Sequence, residues 1–151
     1  MKIIDIKTQD IRFPTSKDNL GTDAVHVDCD YSATYVTIFT DQKDLTGIGL
    51  TFTIGKGNDL CCTVIEYFKE FIIGKNIEEI ERDIASIWEK ITNHSQLRWV
   101  GPQKGVTHLA AAAFFNAIWD LISKFHKKPL WRYIIESVSY THLTLPTTPY
   151  V

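Results

Sequence analysis

Apolar and polar residues alternate with a period of two in the first third of the chain and with a helical period after it. From Lys2 to Phe13, Ile4 and Ile6 alternate against Asp5 and Lys7, and Ile11 and Phe13 resume the alternation after a polar break at Gln9 and Asp10. This predicts a first strand, with a bulge at the break, ended by Pro14. Tyr31 to Thr40 sets Thr34, Val36 and Ile38 opposite Tyr35, Thr37 and Phe39. After a polar turn at Asp41 to Thr46, Gly47 to Ile54 places Ile48, Leu50, Phe52 and Ile54 on one face and Gly47, Gly49, Thr51 and Thr53 on the other. These two segments read as an antiparallel hairpin. One apolar face per strand implies helices packed on one side of the sheet only.

Gly55-Lys56-Gly57 breaks the third strand, and Asn58 is placed to cap a helix carrying Leu60, Cys61, Val64, Ile65, Phe68, Phe71 and Ile72, stopped at Gly74. Asn76 to Glu79 has the form of a capping box. The helix behind it aligns Ile77, Ile80, Ile84, Ile87, Trp88 and Ile91, with Glu78 and Arg82 spaced for an exposed ion pair. Asn93 to Gly105, containing Gly101-Pro102, is a connector. Val106 to Phe125 then forms the most apolar helix of the chain, with Asn116 the one polar residue between Leu109 and Trp119. Such a helix must be buried on all sides. It is short and polar-ended for a membrane span, so its second side calls for a large partner. Leu130 to Glu136 forms a last short helix. Three strands followed by helices make an α+β fold, a three-stranded antiparallel sheet and then a helical bundle.

Composition narrows the partners. In 151 residues, 44% are hydrophobic and 12% aromatic, enough for one domain with a real core. A net charge of -2 with interspersed signs points away from nucleic acid and from a membrane surface. Cys29, Cys61 and Cys62 lack metal-ligand spacing and read as small core residues in a reducing compartment. No secretory or transit signal opens the chain, which suggests the cytoplasm, with a mitochondrial location as the alternative.

Most candidate chemistry is weak. Gly47-x-Gly49 lies inside a strand, and Gly55-Lys56-Gly57 is too short for a phosphate loop, although a helix N-terminus behind it could meet an anion. Glu78, Glu79, Glu81 and Asp83 read as a solvated face. The histidines lack metal spacing, and His108 reads as a hydrogen-bonded structural residue. The exception is the loop at 14–30, long for a compact domain. There His26 lies among Asp23, Asp28, Asp30 and Tyr31, a donor and acceptor set suited to a polyhydroxylated ligand.

The segments IRFPTS (11–16), DAVHVDCDYSATYV (23–36), GIGLTFTIGKG (47–57), QLRWVGPQKGVTHLAAAAFFNAIWDL (96–121) and KKPLWRYII (127–135) resemble one family. They are similar to the N-terminal capping domain of the L-fuconate dehydratases, in the mandelate racemase branch of the enolase superfamily. The resemblance runs from about residue 3 to residue 136, and the Trp99 to Gly105 run and Asp30-Tyr31-Ser32 are its most specific parts. It implies a two-domain hydro-lyase: this cap, and a (β/α) barrel of roughly 250 residues that carries the acid–base residues and the ligands for Mg²⁺. That enzyme would convert L-fuconate to 2-keto-3-deoxy-L-fuconate. The cap would close its long loop over the acid-sugar substrate, a role that falls on Gly21, Thr22, Asp23 and Tyr31, with His26 between them and the Gly55 to Asn58 turn in support. Members of the family are often homo-oligomeric. No catalytic residue or metal ligand is expected within these 151 residues. The Thr- and Pro-rich stretch 137–151 does not resemble the start of a barrel and is expected to be non-native. The alternatives are another sugar-acid dehydratase or racemase of the same superfamily, or a stand-alone interaction module.

Overall fold

A computed structural model describes residues 1–97, 99–100 and 105–142, the side chains of 138–142 excepted. Three strands, β1 (Ile3–Arg12), β2 (Ser32–Thr40) and β3 (Thr46–Thr53), form one antiparallel sheet in the order β1-β2-β3. Four helices follow: α1 (Asn58–Phe68), α2 (Ile77–Thr92), α3 (Val106–Phe125) and α4 (Leu130–His142). The α+β reading is what the structure shows. The connector residues Arg98 and 101–104, with Gly101-Pro102, lie outside the described residues, as does 143–151 of the stretch expected to be non-native. The backbone of α4 continues past Glu136 without a break at the expected boundary.

The first strand departs from its pattern in one respect. It runs unbroken through Gln9 and Asp10, and the irregularity lies between Ile3 and Asp5 instead. A bulge there shifts the side-chain parity, so that Ile3 and Ile6 both face the core and Ile4 faces out. From Ile6 onward the register is regular, pairing Ile6 with Ile38 and Thr8 with Val36 on the core face.

The faces of β3 are the reverse of what apolar content suggests. Ile48, Leu50, Phe52 and Ile54 are 49%, 41%, 55% and 51% exposed, whereas Gly47, Gly49, Thr51 and Thr53 are buried. The cause is how closely α3 approaches. A Cβ at Gly47 would run into the carbonyl oxygen of Ala117, and one at Gly49 into that of Ala113. The helix backbone therefore lies directly on the strand, and the contact face must be made of residues with almost no side chain. The longer apolar side chains are left on the outer face of the sheet, alongside Tyr35 and Ala33.

α3 is the centre of the molecule. It packs on β3 and β2 on one side and against α1, α2 and α4 on the others. Ala110, Ala113, Phe114, Ala117 and Ile122 are fully buried, and Phe114 meets Phe68 of α1 edge-on at 5.5 Å between ring centres. By length and composition α3 could cross a membrane. Much of its apolarity is accounted for by burial among the chain's own elements, whereas Leu109 stays 40% exposed. Further uncovered apolar surface lies on the outer sheet face and in a groove of about 290 Å³ between α2 and α3, lined by Ile84, Ala85, Trp88, Phe115 and Trp119.

Local capping follows the pattern at α2, where the amide of Asn76 donates to Glu79 Oε2 at 3.0 Å and completes the capping box. It fails at α1. Gly57, with φ of 98°, takes the cap position, and the buried Asn58 side chain turns inward to bond Thr53, Asp10 Oδ1 and the carbonyl of Ile11. A polar link between β1, β3 and α1 wins here because a buried amide must satisfy its hydrogen-bonding groups. Leu60, counted in the apolar stripe of α1, is exposed. Arg82 pairs with Asp83 at 3.1 Å rather than with Glu78. His108 packs edge-on to Trp88, and its buried Nδ1 has no hydrogen-bond partner among the described residues.

Gly49→Ala should lower unfolding stability by about 3 kcal/mol, because the added methyl must push the strand and helix apart. Urea denaturation followed by circular dichroism checks this, and an unchanged midpoint would contradict the close strand–helix packing.

Candidate functional site

Antiparallel order puts the end of β1, the start of β2 and the end of β3 at the same edge of the sheet. The loop 14–31 and the turn at 54–57 therefore meet there, although they are far apart in sequence. The loop opens with one 3₁₀ turn, Thr15–Asp18, and its two ends are tied together. Thr15 Oγ1 donates to the carbonyl of Cys29 and accepts from the amide of Tyr31, both at 3.0 Å. Asp30 Oδ1 accepts from the Ser16 hydroxyl at 2.7 Å and its amide at 3.1 Å. The amide of Asp30 donates to the carbonyl of Ile54 at 3.1 Å, which fastens the loop to the turn.

Between loop and turn lies a cleft of about 320 Å³, lined by Ser16, His26, Asp28, Cys29, Asp30, Ile54 and Lys56. It gathers an imidazole, a hydroxyl, two carboxylates and an ammonium group, which together can donate to and accept from a polar ligand. A wider depression of about 630 Å³ lies at the opposite end of the sheet, between residues 42–45 and the end of α3. It is the shallow flank of a lysine-rich turn and gathers no comparable set.

The structure divides the residues singled out from the sequence. His26 lines the cleft. Asp23 holds it in place: one carboxylate oxygen accepts the amides of Val25 at 2.8 Å and His26 at 2.7 Å, and the His26 ring nitrogen Nδ1 lies 3.2 Å from both oxygens. Those amide bonds, that of His26 above all, hold the Asp23 carboxyl below its ordinary range, with the His26 ring adding to them. Gly21, Thr22 and Tyr31 are not among the lining residues. The Tyr31 hydroxyl donates to the carbonyl of Gly21 at 2.9 Å, its ring packs 5.6 Å from Phe52, and Thr22 Oγ1 bonds the carbonyl of Asn19 at 3.1 Å. Gly21 has φ of 73°, and a Cβ there would run into the Tyr31 ring. These three brace the loop from outside the cleft.

Ser16 and Lys56 also line the cleft, and no local sequence pattern marks either of them for a direct role. Lys56 was visible only as part of a glycine turn, and Ser16 only as part of a turn-forming run. The Ser16 hydroxyl, then its amide, lower the pKa of Asp30. The cleft does not fit Mg²⁺: Asp23 and Asp30 each commit an oxygen to bonds within the loop, and among the described residues no group of three His, Cys, Asp or Glu side chains converges on one point. Cys29, Cys61 and Cys62 are free thiols, the first two buried, and burial raises the Cys61 thiol above its usual range.

The arrangement of a three-stranded sheet, helices and a long loop over one sheet end recurs in solved structures. The human mitochondrial enolase superfamily member 1 superposes with a TM-score of 0.84 and 42% identity, over 89% of this chain and 31% of that one. The chain carries the N-terminal capping fold of the enolase superfamily. In sequence it is 46% identical over 136 residues to the Xenopus laevis mitochondrial enolase superfamily member 1, covering 89% of the chain and 31% of that protein. It is 40% identical over 155 residues to L-galactonate dehydratase of Hypocrea jecorina, covering 97% of the chain and 34% of that protein. An L-talarate dehydratase from a Polaromonas species, solved with Mg and L-glucarate, shares the fold at 18% identity and a TM-score of 0.60, over 83% of the chain and 29% of the other. No protein-family model matches the sequence. The chain thus spans about a third of the length of the curated relatives it matches.

The Ser16–Asp30 clasp has a defined pH dependence. Because the folded pKa of Asp30 is lowered, its stabilising contribution is complete above the ordinary aspartate value, about 3.9, and is lost as pH falls through the lowered folded value. The protection factor of the Ser16 amide, with the intrinsic pH dependence of exchange divided out, should hold down to about pH 4 and fall below it. Asp30→Asn should abolish that pH step, and a step that persists in the variant would assign it to another group.

Proposed function

We propose that this chain is the substrate-facing cap of an acid-sugar dehydratase, a hydro-lyase acting on L-fuconate or a similar sugar acid such as L-galactonate. The observation that carries this reading is the 40% identity to L-galactonate dehydratase across 97% of the chain. The cleft supports it, since His26, Ser16, Asp28 and Lys56 at one end of the sheet are the groups a polyhydroxylated carboxylate would engage. In this reading the loop 14–31 closes over the reacting part of the substrate, excludes water and contacts the distal hydroxyls. Lys56 donates to those hydroxyls, and Asp23 orients His26. Gly21, Thr22 and Tyr31 set the shape of the loop rather than touching the ligand. Removal of the proton beside the carboxylate and loss of water belong to that part of the relatives' length which these 151 residues do not span. The same cap would serve a racemase of the superfamily, and the choice between them rests on the reaction products.

The test joins residues 1–136 to the part of L-galactonate dehydratase that follows its own matching segment. Such a hybrid should dehydrate L-galactonate or L-fuconate. His26→Ala and Lys56→Met should each raise KM by about tenfold with a smaller change in kcat, the signature of lost substrate binding. A folded hybrid with no activity on either acid, or variants with unaltered KM, would refute the assignment. The 151-residue chain alone, given Mg²⁺ and either acid, should show no turnover.

A further inference from the structure

Among the described residues β3 is an edge strand, since the sheet order leaves it with β2 on one side only. Antiparallel pairing uses the backbone groups of alternate residues, so the other residues of an edge strand direct their N–H and C=O groups away from the sheet. On β3 the outward set includes Thr46, Ile48 and Leu50, and a single row of α3 reaches all three. The amide of Ile48 donates to Asp120 Oδ2 at 2.7 Å. Lys124 Nζ donates to the carbonyl of Thr46 at 3.1 Å, and Asn116 Nδ2 lies 3.5 Å from the carbonyl of Leu50. Asn116, Asp120 and Lys124 are spaced four apart and so share one face of the helix, where Lys124 also pairs with Asp120 at 2.6 Å. This accounts for Asn116, the single polar residue in the apolar middle of α3.

We propose that Asn116, Asp120 and Lys124 form an edge guard that occupies the unpaired backbone groups of β3 and keeps a second copy of this chain from extending the sheet. The second copy is the relevant intruder because of what lies beside the edge. The outward side chains of β3 include Ile48, Leu50 and Phe52, all exposed, so β3 of another molecule would find hydrogen-bonding groups and an apolar strip together. An exposed apolar edge is the arrangement that promotes strand-to-strand association. Gly47 and Gly49 are part of the same device, because only their close packing brings the helix row within reach of the strand backbone.

The test uses the full chain carrying Asn116→Ala, Asp120→Ala and Lys124→Ala together. With native circular dichroism, this variant should self-associate at about tenfold lower concentration than the parent in light scattering, and amide exchange at Ile48 should accelerate by about tenfold. Adding Ile48→Pro, which removes the freed donor and is tolerated on an edge strand, should restore the parent's mass profile. A folded triple variant with the parent's mass at every concentration would overturn the proposal, as would association that survives Ile48→Pro. If the triple variant does not fold, Asp120→Ala alone decides the contact: unchanged exchange at Ile48 overturns it.

Discussion

The backbone-to-backbone approach of α3 to β3 is the constraint on which the rest of this structure depends. Gly47 and Gly49 face Ala117 and Ala113, leaving no room for a side chain between strand and helix. Dispersion and apolar burial favour such contact because every atom on both sides has a close neighbour. Once α3 lies this low on the sheet, its remaining faces are open to α1, α2 and α4, and Phe114, Phe68, Ile118 and Leu121 fill the space above it. The same approach turns the long apolar side chains of β3 to the outside and brings Asn116, Asp120 and Lys124 to the strand's free edge.

The candidate cleft inherits its position from that scaffold. The sheet end where β1 and β3 finish is held by the buried Asn58 side chain, which joins both strands to the start of α1. The loop 14–31 is then closed by Thr15, Ser16 and Asp30, and its tip is shaped by Asp23 and by the bond from Tyr31 to Gly21. Polar side chains that bind one another make the loop an ordered rim. His26, Asp28 and Lys56 are the groups left facing the opening. In the proposed reading this ordered rim would exclude water from the reacting centre and meet the far end of the substrate.

Much of this was legible in the residues. Period-two alternation marked all three strands, Asn76 and Glu79 marked the start of α2, and α3 was marked from end to end. The loop was visible as a candidate site because long polar loops in compact domains seldom lack a role, and His26 stood out within it. Other features were hidden for definite reasons. The bulge between Ile3 and Asp5 is a property of pairing with β2 and leaves no mark in β1 alone. The inward turn of Asn58 depends on partners at Asp10, Ile11 and Thr53, which local capping preferences do not include. Lys56 and Ser16 are ordinary turn residues until two distant segments meet.

The sequence by itself determined which segments are strands and which are helices, because side-chain period and helix-end chemistry are local properties of the chain. It also determined that a helix as apolar as α3 must be enclosed. Only the tertiary structure decided what encloses it, and which face of β3 is inside. Apolar content favours the face bearing Ile48, Leu50 and Phe52, and close packing against a helix favours the face bearing Gly47 and Gly49. The second preference wins because it is a steric requirement of a neighbour 60 to 70 positions along the chain, and no local pattern can record the shape of a surface that forms only when the two meet.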